Sequence, residues 1–277
     1  MTEATAPTST AAGSGSPDGG DSPSGSGAQG GTGAAGALRG WRPLILQLVV
    51  LLAILVGFGI WVSVAPLSAT ERNTLNLSTI LELTGQHLAL TVVATVIVLV
   101  IAVPLGILLT RRPFRRIAEP VLAVANFGQA APAVGLIVLL FMLIPDGFIA
   151  SIIALVLYAV LPVLRNTMIG IRGVDQRLVE AGRGMGMTAG SVLLRVELPL
   201  AVPVMLSGVR TALVLLVGTA SLAAFVNGGG LGLLITTGVN LYLFTVLIAG
   251  AVLIAVLALL VDWVGRVVEH VARPKGL

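Results

Sequence analysis

Six apolar runs, each long enough to cross a bilayer as a helix, leave this 277-residue chain few possible folds. A span needs about 17 to 25 residues at about 1.5 Å per residue. Runs of that kind fall near residues 44–64, 88–110, 121–144, 148–164, 200–226 and 242–262. Within hydrocarbon every backbone amide and carbonyl must be bonded inside the protein, so spanning segments are helices or closed barrels. Nothing here alternates at period two for the length of a barrel strand. The expected class is therefore all-α, a polytopic membrane protein with about six transmembrane helices. Composition agrees: 56% of residues are hydrophobic and 10% charged, against about a quarter charged in soluble domains. The fourth run is short and carries Pro162 near its end, which a membrane helix tolerates when a neighbour bonds the freed carbonyl.

Several function classes fall away on residue counts. Zero Cys removes disulfides, Fe–S clusters and thiolate metal sites, and two His, His87 and His270, argue against a histidine-built metal centre. No metal site is expected. The only Lys is Lys275, so no Walker loop can be assembled, and ATP hydrolysis would have to come from another chain. The Gly228-Gly229-Gly230-Leu231-Gly232 run follows no strand and reads as a close turn outside the fifth span rather than a phosphate cradle. A net charge of +4 is a small excess whose placement signals topology rather than nucleic-acid binding.

Residues 1–40 are rich in Gly, Ser and Pro and are expected to be a disordered cytoplasmic tail. Residues 41–83 would be an N-terminal anchor helix and external loop, because the run at 44–64 is too long for a signal-peptide core. Residues 84–264 would form the transmembrane domain and 265–277 a second cytoplasmic tail. Basic residues sort by loop. Arg39 and Arg42 precede the first span, Arg111, Arg112, Arg115 and Arg116 join the second to the third, and five Arg between 165 and 195 join the fourth to the fifth. Arg266, Arg273 and Lys275 follow the last, whereas the opposite side holds only Arg72. The positive-inside bias then puts both termini in the cytoplasm, with Trp41 and Trp263 at the inner interface and Trp61 at the outer one.

The connection 165–199 is the most informative stretch. It holds Glu180-Ala181-Gly182, then Gly186, then Val196-Glu197-Leu198-Pro199. This resembles the EAA loop of ATP-binding-cassette importer permeases, departing from it in Gly182 for the second Ala and Val196 for Ile. A short helix around 176–184 would act as a knob for a soluble partner, with small residues permitting close backbone approach and Glu180 accepting hydrogen bonds from free amides or a partner Arg. The resemblance implies a type I importer fold and assigns Glu180, Ala181, Gly182, Gly186, Val196, Leu198 and Pro199 to coupling with the ATPase. Further stretches between about 84 and 264 resemble permeases for quaternary amine osmoprotectants (glycine betaine, choline, carnitine): Pro104-Leu105-Gly106-Ile107, Leu161-Pro162 with Arg165-Asn166-Thr167, and Gly229-Gly230-Leu231-Gly232. Implied partners are cytosolic ATP-binding-cassette subunits that use ATP and Mg, an extracytoplasmic binding protein, and a second permease copy or paralogue. The chain itself would hold no cofactor. Another small solute, such as an amino acid or sulfonate, is the alternative substrate, and an ion-coupled secondary transporter the alternative class.

Polar residues inside spans mark either a pathway or interhelical contacts. Asn126 and Gln129 lie three apart on one face of the third span, and Pro132 would open that helix beside them; both readings stand for this group. Arg210, within the fifth span, would snorkel to the inner interface or pair with Glu197 or another carboxylate. His87 would sit at the interface, at the start of its span. Tyr158 and Tyr242 are too few for an aromatic cage around a cation.

Overall fold

A computed structural model describes residues 32–272, with side chains from Trp41 onward. The tail expected at 1–40 lies outside the described residues up to position 31, as do residues 273–277. Every regular element among the described residues is helical. In chain order these are α1 (Thr32–Val64), α2 (Ala69–Thr74), α3 (Leu77–Thr110), α4 (Ala118–Ala130), α5 (Ala133–Leu143), α6 (Gly147–Arg172), α7 (Gln176–Gly184), α8 (Ala189–Val192), α9 (Leu198–Ala220), α10 (Gly232–Asn240) and α11 (Phe244–Ala272). Short 3-10 turns at Arg112–Ile117 and Ser221–Val226 and a π turn at Leu193–Glu197 complete the set.

Five helical stretches among the described residues are long and apolar enough to cross a membrane, and six if the bent pair α4–α5 counts as one span. That pair corrects the continuous third span expected at 121–144. The chain turns by 96° between Ala130 and Ala133. Pro132 lacks an N–H and forces its predecessor out of the helical region, and Ala131 accordingly sits at φ −63, ψ 143. The short fourth run is, by contrast, the N-terminal two thirds of a 26-residue helix. Its Pro162 leaves the Tyr158 carbonyl without a helical donor, and the Gln129 amide supplies one at 3.3 Å. α3 begins eleven positions before the expected 88, at an Asn76 cap that accepts the Thr79 amide.

α6 lies at the centre, packed on α3 and α9. Leu90, Ala94 and Val98 of α3, Leu155, Ala159 and Leu164 of α6, and Ala212 and Leu216 of α9 form one buried cluster. Water is not the competing solvent in a bilayer, so such helices associate by close packing that small residues permit. Gly208 shows this on α9: a Cβ there would clash with Asn166 and come within 2.9 Å of the Pro162 carbonyl oxygen on α6. A second cluster joins Val217 of α9, Leu234 of α10 and Val246, Ala249 and Leu257 of α11.

α1 packs along α11 at one end, where the Trp263 indole N–H donates to the Leu44 carbonyl at 2.9 Å and Trp41 meets His270 edge-on at 4.9 Å. At the opposite end the glycine run is a turn, as expected. Gly229 and Gly230 take φ of +82 and +87, and the Gly230 amide donates to Gln86 Oε1 at 3.0 Å. His87 is fully buried among the helices, with Nε2 2.9 Å from the Val217 carbonyl oxygen. Polar residues around it lower the local hydropathy, but α3 already runs for three turns before it.

Candidate functional site

The loop between α6 and α9 is an ordered unit built on its own small core. Ile171, Val174, Val179, Val192, Ala201 and Met205 are buried together. Asp175 caps α7 by accepting the Arg177 amide at 2.9 Å, a role the sequence reading had offered to Glu180. α7 closes in a Schellman motif: the Met187 amide donates to the Gly182 carbonyl at 3.1 Å, and the Gly186 amide to the Arg183 carbonyl at 2.9 Å. That geometry puts Gly186 at φ +83, in open space, where an L side chain is strained.

Gly182 faces inward, where a Cβ would lie 3.4 Å from Met187 Sδ and 3.5 Å from Val192. A Cβ there would make ordinary contacts with the loop's own core. Glu180 and Ala181 point outward with Leu178, and Met185 is 77% exposed. Leu178, Ala181 and Met185 make an apolar stripe on a polar loop, flanked by Arg177, Glu180 and Arg183. Val196 is half-buried, and Leu198 and Pro199 open α9.

Glu197 does not pair with Arg210. It is buried at 6% exposure, and the Arg111 guanidinium at the end of α3 grips its carboxylate with both Nη atoms, Nη1 reaching Oε1 at 3.2 Å. A buried carboxylate requires such a partner. This fork fixes the π turn that carries the loop into α9 against the end of α3.

Of Asn126, Gln129 and Pro132, Asn126 accepts a hydrogen bond from Arg165 Nη2 at 3.1 Å, and Pro132 starts α5 beside the Ala131 carbonyl, which accepts the Tyr158 hydroxyl at 3.1 Å. These are interhelical contacts between α4–α5 and α6. Gln129 alone of the three also lines a cavity of about 470 Å³, with Pro162, Thr211, Val214, Leu215, Arg210 and Asp262. Arg210 bridges α9 to α11, with Nε 3.8 Å from Asp262 Oδ1 and Nη1 3.3 Å from Glu269 Oε2. Asp262 is thus the carboxylate that the sequence left unnamed for Arg210, and the packing of α11 on α9 sets it in the wall of the cavity. Replacing Gln129 by Leu should orphan the Tyr158 carbonyl and lower stability by about 1 kcal/mol, read as a reduced thermal midpoint of the detergent-solubilised protein. Among the described residues no group of His, Cys, Asp and Glu could hold a metal ion.

An all-helical bundle of five apolar spans, or six with the bent pair, and an ordered polar loop between α6 and α9 is the frame of a polytopic membrane protein. Residues 102–273 match the family described as binding-protein-dependent transport system inner membrane component, and the chain belongs to it. It is thus a multi-pass membrane protein and a transport component, working with a binding protein and an ATPase. It is 42% identical over 194 residues, 70% of this chain and 88% of the relative, to the glycine betaine/carnitine/choline transport system permease protein OpuCB of Bacillus subtilis. It is 41% identical, at the same coverage, to the choline transport system permease protein OpuBB of the same organism. The osmoprotectant import permease protein OsmW of Salmonella typhimurium is 40% identical over 71% of this chain and 93% of its own length. Among solved structures, a chain of the inward-facing MetNI methionine ABC transporter superposes with a TM-score of 0.62 at 25% identity, covering 70% of this chain and 96% of its own.

Proposed function

We propose that this chain is the membrane-spanning permease of an ATP-driven importer for quaternary amine osmoprotectants, of the kind represented by glycine betaine, choline and carnitine. The observation that carries the reading is 42% identity across 88% of a relative named for those three solutes. The transport unit is read as 84–264, with 41–83 an added anchor and loop. ATP and Mg would be used by a separate ATPase, and a second copy or a related permease would complete the membrane domain.

In this reading α7 is the knob that enters the ATPase, presenting Leu178, Ala181 and Met185 with Glu180 beside them. Gly182, Val196, Leu198 and Pro199 shape the loop from within, and Gly186 sets its exit. When paired ATPases close on ATP, α7 moves as a rigid piece with the buried core beneath it, and the Arg111–Glu197 fork passes the displacement to α3 and α9. Packed helices respond by switching between discrete arrangements rather than by bending.

Reconstitution in liposomes tests this. ATP-dependent accumulation of glycine betaine or choline should require the ATPase and the binding protein together. Accumulation by this chain alone on an ion gradient would instead make it a secondary transporter. The orientation follows from the Arg sorting and has its own check: a Cys at Ser191, in a chain that has none, should react with an impermeant reagent only after the cells are opened. Labelling in intact cells would place the loop outside.

A further inference from the structure

The cavity beside Gln129 has a charge arrangement that a simple cation does not need. Arg210 and Asp262 both reach its wall, and their side chains keep 27% and 17% exposure. Their approach of 3.8 Å is an ion pair without a hydrogen bond. Each is anchored from behind by other groups. Asp262 Oδ2 accepts from Arg266 Nε at 2.8 Å and from Gln47 Nε2 at 3.1 Å, leaving Oδ1 toward Arg210. Arg210 holds Glu269 through Nη1. What faces the cavity is therefore a paired cation and anion, a fixed dipole rather than a lone charge.

We propose that Arg210 and Asp262 form a dipolar reading site in the permease, which favours a substrate carrying both a carboxylate and a quaternary ammonium over one carrying the ammonium alone. This rests on the osmoprotectant reading above and narrows it to zwitterions. A zwitterion lies head to tail against the pair. Its carboxylate takes the unengaged guanidinium donors of Arg210, aided by the second hydrogen of the Gln129 amide. Its ammonium, which has no hydrogen to donate, needs only proximity to Asp262 Oδ1, so Asp262 keeps its bonds to Gln47 and Arg266. Pro162, Val214 and Leu215 supply apolar contact for the N-methyl groups. Choline offers Arg210 only a neutral hydroxyl in place of a carboxylate, and the attraction of Asp262 for its ammonium is offset by repulsion from Arg210 within 4 Å of the same carboxylate.

The test uses the complete importer, with its ATPase and binding protein, in liposomes. Arg210→Gln should lower the ratio of glycine betaine to choline uptake by about tenfold or more, because only the zwitterion loses a guanidinium–carboxylate ion pair. An unchanged ratio overturns the proposal even if both rates fall. A measurement that leaves both charges in place covers the case in which this variant does not insert. Val214→Cys places the chain's only thiol in the cavity wall. Glycine betaine should protect it from maleimide at concentrations about tenfold lower than choline does. Equal protection by the two, or none by either, overturns the proposal. Failure of the wild-type importer to accumulate either solute counts instead against the osmoprotectant reading itself.

Discussion

Glu197→Ala is expected to cost about 2–3 kcal/mol of stability, a large loss for a side chain outside the apolar core. Removing one partner of a buried ion pair typically costs about 3–5 kcal/mol, because the other charge stays desolvated. Arg111 is 32% exposed and recovers some water once released, which brings the figure down. Thermal unfolding of the purified protein should show the loss. The double variant Arg111→Ala/Glu197→Ala should cost less than the sum of the two single losses, since it leaves no orphaned charge. Additive effects would mean that the fork is not the joint that holds the π turn.

The second large effect concerns function rather than stability. Gly186→Val should leave the protein inserted but cut ATP-dependent uptake by about tenfold or more. A β-branched residue at φ +83 carries about 1–2 kcal/mol of strain, which the chain relieves by unwinding the end of α7 and displacing Met185 from the outer stripe. Nothing lies within 4 Å of a Cβ at this position, so backbone geometry, not a clash, is what is tested. Gly186→Ala should be milder, and Glu180→Ala should reduce coupling with α7 intact. Uptake at the wild-type rate in both Gly186→Val and Glu180→Ala would remove the loop from the coupling path.

The loop between α6 and α9 was readable because its signals are local. Glu180, Gly186 and Leu198-Pro199 stand at short fixed spacings, and the helix expected near 176–184 is α7. What the spacing did not reveal is direction. Gly182 reads as a surface residue until Val192 and Met187, ten and five positions on, are seen to fold over it. Arg210 and Glu197 illustrate the same limit. Both were visible as charges in need of partners, but Glu197 took Arg111, 86 positions away, and Arg210 took Asp262 and Glu269 of α11. Pairing over such separations depends on which helices neighbour each other, and apolar runs carry no record of that.

Hydropathy by itself determined the class, the approximate span count and the polar loop that carries the motif, since transfer into lipid depends on side-chain chemistry summed over about 20 residues. Pro162 and Pro132 were equally visible in the sequence, but only the tertiary structure decided that the first is absorbed within a straight-through helix and the second breaks one. The difference lies in the neighbours: Gln129 reaches the carbonyl that Pro162 frees, whereas Pro132 follows a residue already turned out of the helix, its carbonyl taken by Tyr158. The cavity beside Gln129 belongs to that second kind of knowledge, because α4, α6, α9 and α11 each give its wall no more than a few residues, and only their packing makes a site of them.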